Sequence, residues 1–309
     1  MESPVIEGPL SGNDTSYKFF YAQCEDLKEI EKGIPIHEFS EQLTRRNVDM
    51  EFTLMGKITM TKRHELRLIP NAADLQVFNR YSDILPYSDT KVEVSTKEYI
   101  NANWIQGHNS RPRYIATQGP LERSRNSFWK IVWEHNISLI IMVTAIKENG
   151  KQKCDQYYPL EGTLTTADFQ ITVKSINDEF PTLTVREIEI EFDGEKKQIK
   201  HLQSVAWPDH GAPELEEEYE SIRFMVEEII GNPTPVLVHC SAGIGRTGTL
   251  IALCQMIEAI KMTTFNPRVS VFGTVRRLRE QRWKMVQTKN QYDFLYKFME
   301  QWINNYLND

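Results

Sequence analysis

The sequence predicts an α/β fold built as a single domain, and three observations lead to this prediction. Short apolar runs typical of buried strands alternate with a helical segment in residues 52–145. Stretches of alternating apolar and polar residues follow, and helical periodicity dominates the part after residue 213. The 309 residues contain no internal repeat, no Gly/Ser linker and no block of like charges that would mark a boundary between domains.

The first elements are predicted from apolar spacing. The part to about residue 47 is expected to be helical, because Phe20, Leu27 and Ile30 share one helical face and Phe39 and Leu43 continue the spacing. Three strand-like runs and one helix come next, the strands at 98–105, 114–117 and 137–144 and the helix at 127–135.

The following stretches predict an antiparallel meander. Apolar and polar residues alternate at 169–175, 183–192 and 198–206, and the pairs Asn177-Asp178 and Asp193-Gly194 are typical of the turns between them. The remaining elements are a short buried strand at 235–239 and helices at 214–230, 246–262, 272–281 and 290–305.

The composition indicates a globular protein and excludes several functions. Hydrophobic residues make up 40% of the chain, and the net charge of −7 argues against a general nucleic-acid partner, which would need a basic surface. The start, MESPVIEGPL, lacks the pattern of a signal peptide, and no apolar run is long enough to span a bilayer. We therefore expect a cytoplasmic chain without a membrane span.

The four cysteines, Cys24, Cys154, Cys240 and Cys254, lack the spacing of a zinc site, so we expect no metal and no cofactor. Buried, reduced thiols are the usual form of cysteine in a domain of this size. Cys240 departs from this expectation because of the residues that follow it.

Residues 236–249, VLVHCSAGIGRTGT, run from a β-branched strand through a loop of small residues into a helix. Glycines let successive backbone N–H groups turn inward, and the helix adds the positive end of its dipole, so the loop is suited to hold a tetrahedral dianion. The residues expected to bind this anion are Ser241, Ala242, Gly243, Ile244 and Gly245.

Cys240 and Arg246 are the predicted chemical groups of this loop. The positive field favours the thiolate of Cys240, the form that acts as a nucleophile. The planar guanidinium of Arg246 can grip two phosphoryl oxygens at once. A glycine-rich turn with a buried cysteine also occurs as ordinary packing, but the Cys-to-Arg spacing favours the phosphate loop.

From His239 to Thr247, the loop resembles the signature of the protein tyrosine phosphatase family, in which His-Cys is followed by five residues, Arg and Ser or Thr. Other segments resemble family motifs in the family's order. They are Asn79-Arg80-Tyr81, Tyr99-Ile100-Asn101-Ala102-Asn103, Thr117-Gln118-Gly119-Pro120, Lys153-Cys154 through Tyr157, Trp207-Pro208-Asp209, and Gln287-Thr288 to Gln291. The resemblance covers about residues 52–294.

The resemblance implies a highly twisted mixed β-sheet with helices on both sides, in one domain. On this interpretation, residues 51–309 form the catalytic domain and residues 1–50 a helical flank of it. The resemblance also implies that Cys240 attacks phosphorus to form a cysteinyl-phosphate, while Asp209 acts first as the acid and then as the base. Asp209 lies in Trp207-Pro208-Asp209-His210-Gly211, a segment with the residues of a mobile lid or of a plain surface turn.

Further roles are implied by the same resemblance. Gln287 would position the attacking water with Gln291 close by, and Thr247 would hydrogen-bond the sulfur in the second step. Glu148 would orient Arg246, and Lys153 would contact the closed lid or carry a solvated charge.

Tyr81 and Asp83 are the residues that the resemblance assigns to substrate selection. Tyr81 would form a wall of a deep slot and stack on the phosphotyrosine ring, and Asp83 would accept backbone N–H groups of the substrate peptide. The expected partners are therefore tyrosine-phosphorylated proteins. From the residues alone, Tyr81 would be a core aromatic, the usual place of a tyrosine, so its substrate role depends on the resemblance. Arg279 and Arg282 fit the surface of a helix better than a second phosphate site.

Two other functions stand as alternatives. The first is a dual-specificity or phosphoinositide phosphatase, although Ala242, Gly243 and Ile244 add no lysine for a highly charged headgroup. The second is a module that binds phosphotyrosine without turnover, although Cys240 and Arg246 are both present. The sequence departs from the family at Phe78, Lys91 and Glu98, none of which is expected to touch the reacting atoms.

Overall fold

A computed structural model describes residues 30–70, 72–208 and 211–308 of the chain. Its centre is a mixed sheet of eight strands, accompanied in the described residues by two sheets of two strands each. In chain order, the strands are β1 (Ile34–Pro35), β2 (Ala102–Gln106), β3 (Pro112–Thr117), β4 (Leu139–Met142), β5 (Lys147–Glu148), β6 (Lys151–Gln152), β7 (Thr163–Thr165), β8 (Gln170–Phe180), β9 (Leu183–Phe192), β10 (Glu195–Ser204), β11 (Val236–His239) and β12 (Arg268–Val269).

The α-helices of the described residues are α1 (Phe39–Leu43), α2 (Val48–Thr59), α3 (Lys62–Glu65), α4 (Ala73–Gln76), α5 (Arg125–Glu134), α6 (Leu215–Gly231), α7 (Gly245–Met262), α8 (Val271–Arg279) and α9 (Lys289–Asn308). Side-chain caps fix the starts of two of them. Asn47 accepts from the N–H of Met50 at the start of α2, and Ser270 accepts from the N–H of Gly273 at the start of α8. None of the helices in this part of the chain is long and apolar enough to cross a bilayer.

The large sheet has the strand order β2-β3-β11-β4-β10-β9-β8-β7. β11 is parallel to β3 and to β4, β4 is parallel to β10, and the other neighbours are antiparallel. Because parallel neighbours need long crossover connections, segments far apart in sequence meet at the carboxyl end of β11.

Alternate residues of β11 pack on opposite faces of the sheet. Val236 and Val238 belong to a core cluster with residues of α6 to α9, whereas Leu237 belongs to a second cluster built with α5. Burial on both faces explains why β11 is a continuous apolar run rather than an alternating one. The prediction of an α/β fold with a mixed sheet between helices is confirmed.

Parts of the predicted element map are wrong. The polar pair Asn177-Asp178 lies within β8, which continues to Phe180, because an exposed strand has the same polar composition as a turn. Residues 34–35 are not helical but form β1, which pairs with β12. The helix α2 was not predicted, and it runs across residue 50. Phe20 and Leu27 lie outside the described residues.

Candidate active site

The loop after β11 folds tightly around the Cys240 thiol. Cys240 is 4% exposed, and the N–H of Gly243 donates to its Sγ at 3.2 Å. Gly243 has a φ of +70°, and a Cβ there would lie 2.1 Å from the carbonyl oxygen of Thr117. Only glycine can occupy this position, because a side chain would collide with rigid backbone.

Arg282 holds the outer side of this loop. Its guanidinium donates to the carbonyls of Gly243 at 2.8 Å and Ala242 at 3.1 Å, and to the side-chain oxygens of Asn101 and Asn103. Across a trans peptide the N–H points away from the carbonyl, so these bonds direct the N–H groups of the following residues to the opposite side. Complete burial lowers the pKa of Arg282 from 12.5 to about 10.

Arg246, at the start of α7, is oriented by Glu148. The two side chains form a bidentate pair, with Nη1 to Oε1 at 2.5 Å and Nη2 to Oε2 at 2.7 Å. Burial alone would raise the pKa of Glu148, but the hydrogen bonds and charge of Arg246 hold it below its ordinary value. Glu148 reaches Arg246 from the hairpin of β5 and β6, whose turn residues Asn149 and Gly150 both have positive φ.

Tyr81 is tied to the phosphate loop through Ser241. The Ser241 hydroxyl donates to the carbonyl of Lys153 at 2.8 Å, so it accepts from the Tyr81 hydroxyl at 2.9 Å. Lys153 is 6% exposed, which excludes the solvated charge that was one of the two expectations for it. The ring of Tyr81 is only partly buried and packs at the edge of the larger core cluster.

Asp83 lies two residues further on, with 68% of its side chain exposed, and it pairs with Lys284 at 3.3 Å. This ion pair joins the segment of Tyr81 to the segment that precedes Gln287. Apart from this ion pair, the carboxylate of Asp83 is open to solvent.

The described residues on either side of Asp209 and His210, Trp207 and Gly211, are joined by a hydrogen bond. Trp207 is 2% exposed, packs against Phe294 and donates from Nε1 to the carbonyl of Gly211 at 3.1 Å. Asp209 and His210 are outside the described residues.

Gln287 and Gln291 lie over the start of α7. A Cβ at Gly245 would be 2.9 Å from Nε2 of Gln291 and 3.1 Å from Oε1 of Gln287, so both amides lie directly against the loop at this glycine. Oε1 of Gln291 accepts from the N–H groups of Gln287 and Thr288, which fixes the start of α9. The hydroxyl of Thr247 is buried and has no hydrogen-bond partner among the described residues.

A buried hydrogen-bond chain supports the loop from behind. Nδ1 of His239 lies 3.1 Å from the carbonyl of Cys240, which can only accept, so Nε2 of the neutral ring accepts from the Tyr157 hydroxyl at 2.7 Å. The same hydroxyl accepts from Nε2 of His201 at 2.7 Å. Burial lowers the pKa of His239 to about 4 and moves that of His201 in the same direction, so both rings are neutral.

The structure thus places most of the predicted residues around one loop, and it adds others that the sequence interpretation missed. Arg279 and Arg282 are 3% and 0% exposed, so the expectation of a helix-surface role for them is wrong. The glycines and the Cys-to-Arg spacing were visible in the sequence. A buried arginine that binds carbonyls gives no local sequence signal, and neither does His201. Tyr157 was visible only as the end of a family motif, without the contact that it makes here.

Comparison with known proteins identifies the family. The family model described as protein-tyrosine phosphatase matches residues 76–301. The chain belongs to the protein-tyrosine phosphatase family. Its phosphate loop, with Cys240 and Arg246, lies within the matched residues.

Relatives in this phosphatase family cover most of the chain. Receptor-type tyrosine-protein phosphatase eta of Gallus gallus is 38% identical over 277 residues, which are 85% of this chain and 19% of that protein. Tyrosine-protein phosphatase Lar-like of Caenorhabditis elegans is 37% identical over 74% of this chain and 10% of that protein. The chain therefore spans no more than about a fifth of the length of these relatives.

Solved structures of phosphatases superpose on most of this chain. The catalytic domain of human protein tyrosine phosphatase non-receptor type 18 superposes with a TM-score of 0.80 at 32% identity, covering 87% of this chain and 99% of that one. A structure of the type 18 protein in complex with HER2 phosphopeptides matches with a TM-score of 0.81 at 31% identity.

Proposed function

We propose that this chain hydrolyses phosphotyrosine in proteins through a cysteinyl-phosphate intermediate on Cys240. One observation carries the proposal, namely that the Cys240 sulfur and the guanidinium of Arg246 belong to one loop whose glycine N–H already points at the sulfur. Family membership supports the reaction type.

In the first step, the thiolate of Cys240 attacks phosphorus while Arg246 and the loop N–H groups hold the equatorial oxygens. The bond from phosphorus to the tyrosine oxygen breaks, and Asp209 donates the proton that the departing oxygen takes up. Because Glu148 fixes Arg246 from behind, the guanidinium needs little reorganisation as charge develops.

In the second step, water replaces the sulfur on phosphorus. The carboxylate of Asp209 takes a proton from the water, Gln287 and Gln291 hold the water, and Cys240 leaves as a thiolate. The unpaired hydroxyl of Thr247 is assigned to the departing sulfur, since it has no other partner in the described residues. His239 supports this step by binding the Cys240 carbonyl.

The substrate class follows from the rim of the site. The hydrogen bond from Tyr81 to Ser241 holds the tyrosine beside the loop, and we assign its ring to the wall of a slot that favours the long phosphotyrosine side chain over phosphoserine. Exposed Asp83 is assigned to the peptide backbone. Tyrosine-phosphorylated proteins are therefore the proposed partners, and the cytoplasmic location and the domain limits 1–50 and 51–309 stay predictions.

Turnover of matched phosphotyrosine and phosphothreonine peptides and of a phosphoinositide panel tests the proposal. We expect phosphotyrosine to be the preferred substrate, and comparable rates on all three classes would favour the dual-specificity or phosphoinositide alternative. Cys240→Ser should abolish turnover and keep phosphopeptide binding, and Asp209→Ala should slow turnover and retain substrate. Cys254→Ser, a change at a buried thiol within α7, is the matched control. Binding without turnover by the unchanged chain would support the alternative of a phosphotyrosine-binding module.

A further inference from the structure

The residue before Gln287 has an unusual backbone conformation. Val286 has a φ of +55° and is fully buried. Left-handed backbone is disfavoured for a β-branched residue by about 10- to 100-fold in population, so it persists only where the surroundings impose it. Two sets of contacts impose it here.

Arg279, the last residue of α8, supplies one set of these contacts. Its Nε donates to the carbonyl of Met285 at 2.8 Å, its Nη2 to the carbonyl of Val286 at 2.7 Å, and its Nη1 to the hydroxyl of Thr59 at 3.2 Å. In the described part of the chain, no carboxylate pairs with this buried guanidinium. Burying an unpaired cation is unfavourable, and the donors of Arg279 go to the peptide units before Gln287.

The phosphate loop supplies the other contact. The N–H of Val286 donates to the carbonyl of Ile244 at 3.0 Å, directly beside the start of α7. A Cβ at Gly248 would lie 2.6 Å from the nitrogen of Val286, so α7 allows this approach only with glycine there. Val286 is therefore held between α7 and Arg279, and its conformation sets the direction in which the chain enters Gln287.

We propose that Arg279 is a positioning residue for the second chemical step, and that it acts by keeping Val286 left-handed so that Gln287 faces the attacking water. The inference rests on the proposed function. In this step the bond from phosphorus to the Cys240 sulfur breaks, the bond from phosphorus to the water oxygen forms, and Asp209 takes the water proton. The attack of Cys240 on the substrate does not use Gln287, so Arg279 affects hydrolysis of the intermediate and leaves its formation unchanged.

The test separates the two steps in Arg279→Gln and in Arg279→Lys, which keeps the charge but loses the planar fork. Rapid mixing with a chromogenic aryl phosphate measures formation, and mass spectrometry of acid-quenched enzyme measures the fraction that carries a phosphoryl group. We expect formation within about twofold of the unchanged chain, hydrolysis about 10-fold slower, and kcat and KM lowered together. Equal slowing of both steps, or hydrolysis at the unchanged rate, would overturn the inference.

A second substitution tests whether Arg279 acts through the backbone of Val286 or only through the general stability of the fold. Glycine adopts left-handed backbone without cost, so Val286→Gly should restore hydrolysis in Arg279→Gln to within about threefold of Val286→Gly alone. Lys284→Gly is the matched control, because Lys284 also has a positive φ of 58° but receives no bond from Arg279. Rescue by Lys284→Gly, or no rescue by Val286→Gly, would refute the role of Val286. If the unchanged chain formed no phosphoenzyme, the proposed function itself would fail.

Discussion

Replacing Glu148 with glutamine tests how far the orientation of Arg246 controls the reaction. The two residues are joined by charge-assisted hydrogen bonds of 2.5 and 2.7 Å. Glutamine keeps one acceptor but turns an NH2 donor towards the guanidinium, so one bond and the charge attraction are lost. A hydrogen bond to a charged group contributes about 1.5–3 kcal/mol, and Glu148 is 16% exposed, which leaves little screening. We expect a loss of about 2–3 kcal/mol in the transition state, or about 30- to 150-fold in kcat/KM.

The assay measures kcat/KM on a phosphotyrosine peptide and the inhibition constant of inorganic phosphate, since binding of either anion would use the guanidinium of Arg246. In Glu148→Gln, kcat/KM should fall and the inhibition constant should rise. Glu98→Gln is the control, since it removes a carboxylate that pairs with Lys130 on α5 at 2.7 Å, and it should change kcat/KM by no more than about threefold. A Glu148→Gln enzyme as active as this control would refute the reasoning that the bidentate pair holds Arg246 in place.

Three further predictions concern the loop and the chain behind it. Gly243→Ala should lower activity by at least about 100-fold, because a methyl group would collide with the carbonyl of Thr117, and near-normal kcat/KM would contradict this. The free energy of unfolding should decrease as pH falls from about 6.5 to about 4. In this range the unfolded chain protonates His239, whereas the folded chain, in which burial lowers the pKa of His239 to about 4, does not. His201 adds to this decrease, because burial lowers its pKa as well. A free energy of unfolding by urea that stays constant across this pH range would contradict the prediction. Tyr157→Phe should cost about 1–3 kcal/mol of unfolding free energy, seen as a lower urea midpoint, since both histidines lose a buried partner.

Much of the fold was predictable because its strands and helices follow their hydrophobic periods. β9 was predicted at its observed limits, and β11 was recognised as a short buried run. The short strands β1 and β12 were not predictable, because they exist only by pairing with each other across the chain. The end of β8 was missed because its exposed residues resemble a turn.

The site was predictable where local sequence dictates local geometry. The phosphate loop is one continuous segment, so its glycines, Cys240 and Arg246 could be interpreted together. Arg279, at the end of α8, and Arg282, after it, act through carbonyl oxygens of other segments, and any residue type provides a carbonyl. Such contacts leave no trace in residue identity, which is why the surface interpretation of these two arginines was wrong.

The strand order of the sheet determines when the surroundings of the loop after β11 can assemble during synthesis of the chain. β11 pairs with β3 and β4, and its loop receives side chains from segments as far apart as Tyr81 and Gln291. Contacts of such large sequence separation form late and slowly, because loop closure must precede them. The surroundings of this loop are therefore complete only after the start of α9, with Gln291, has been synthesised.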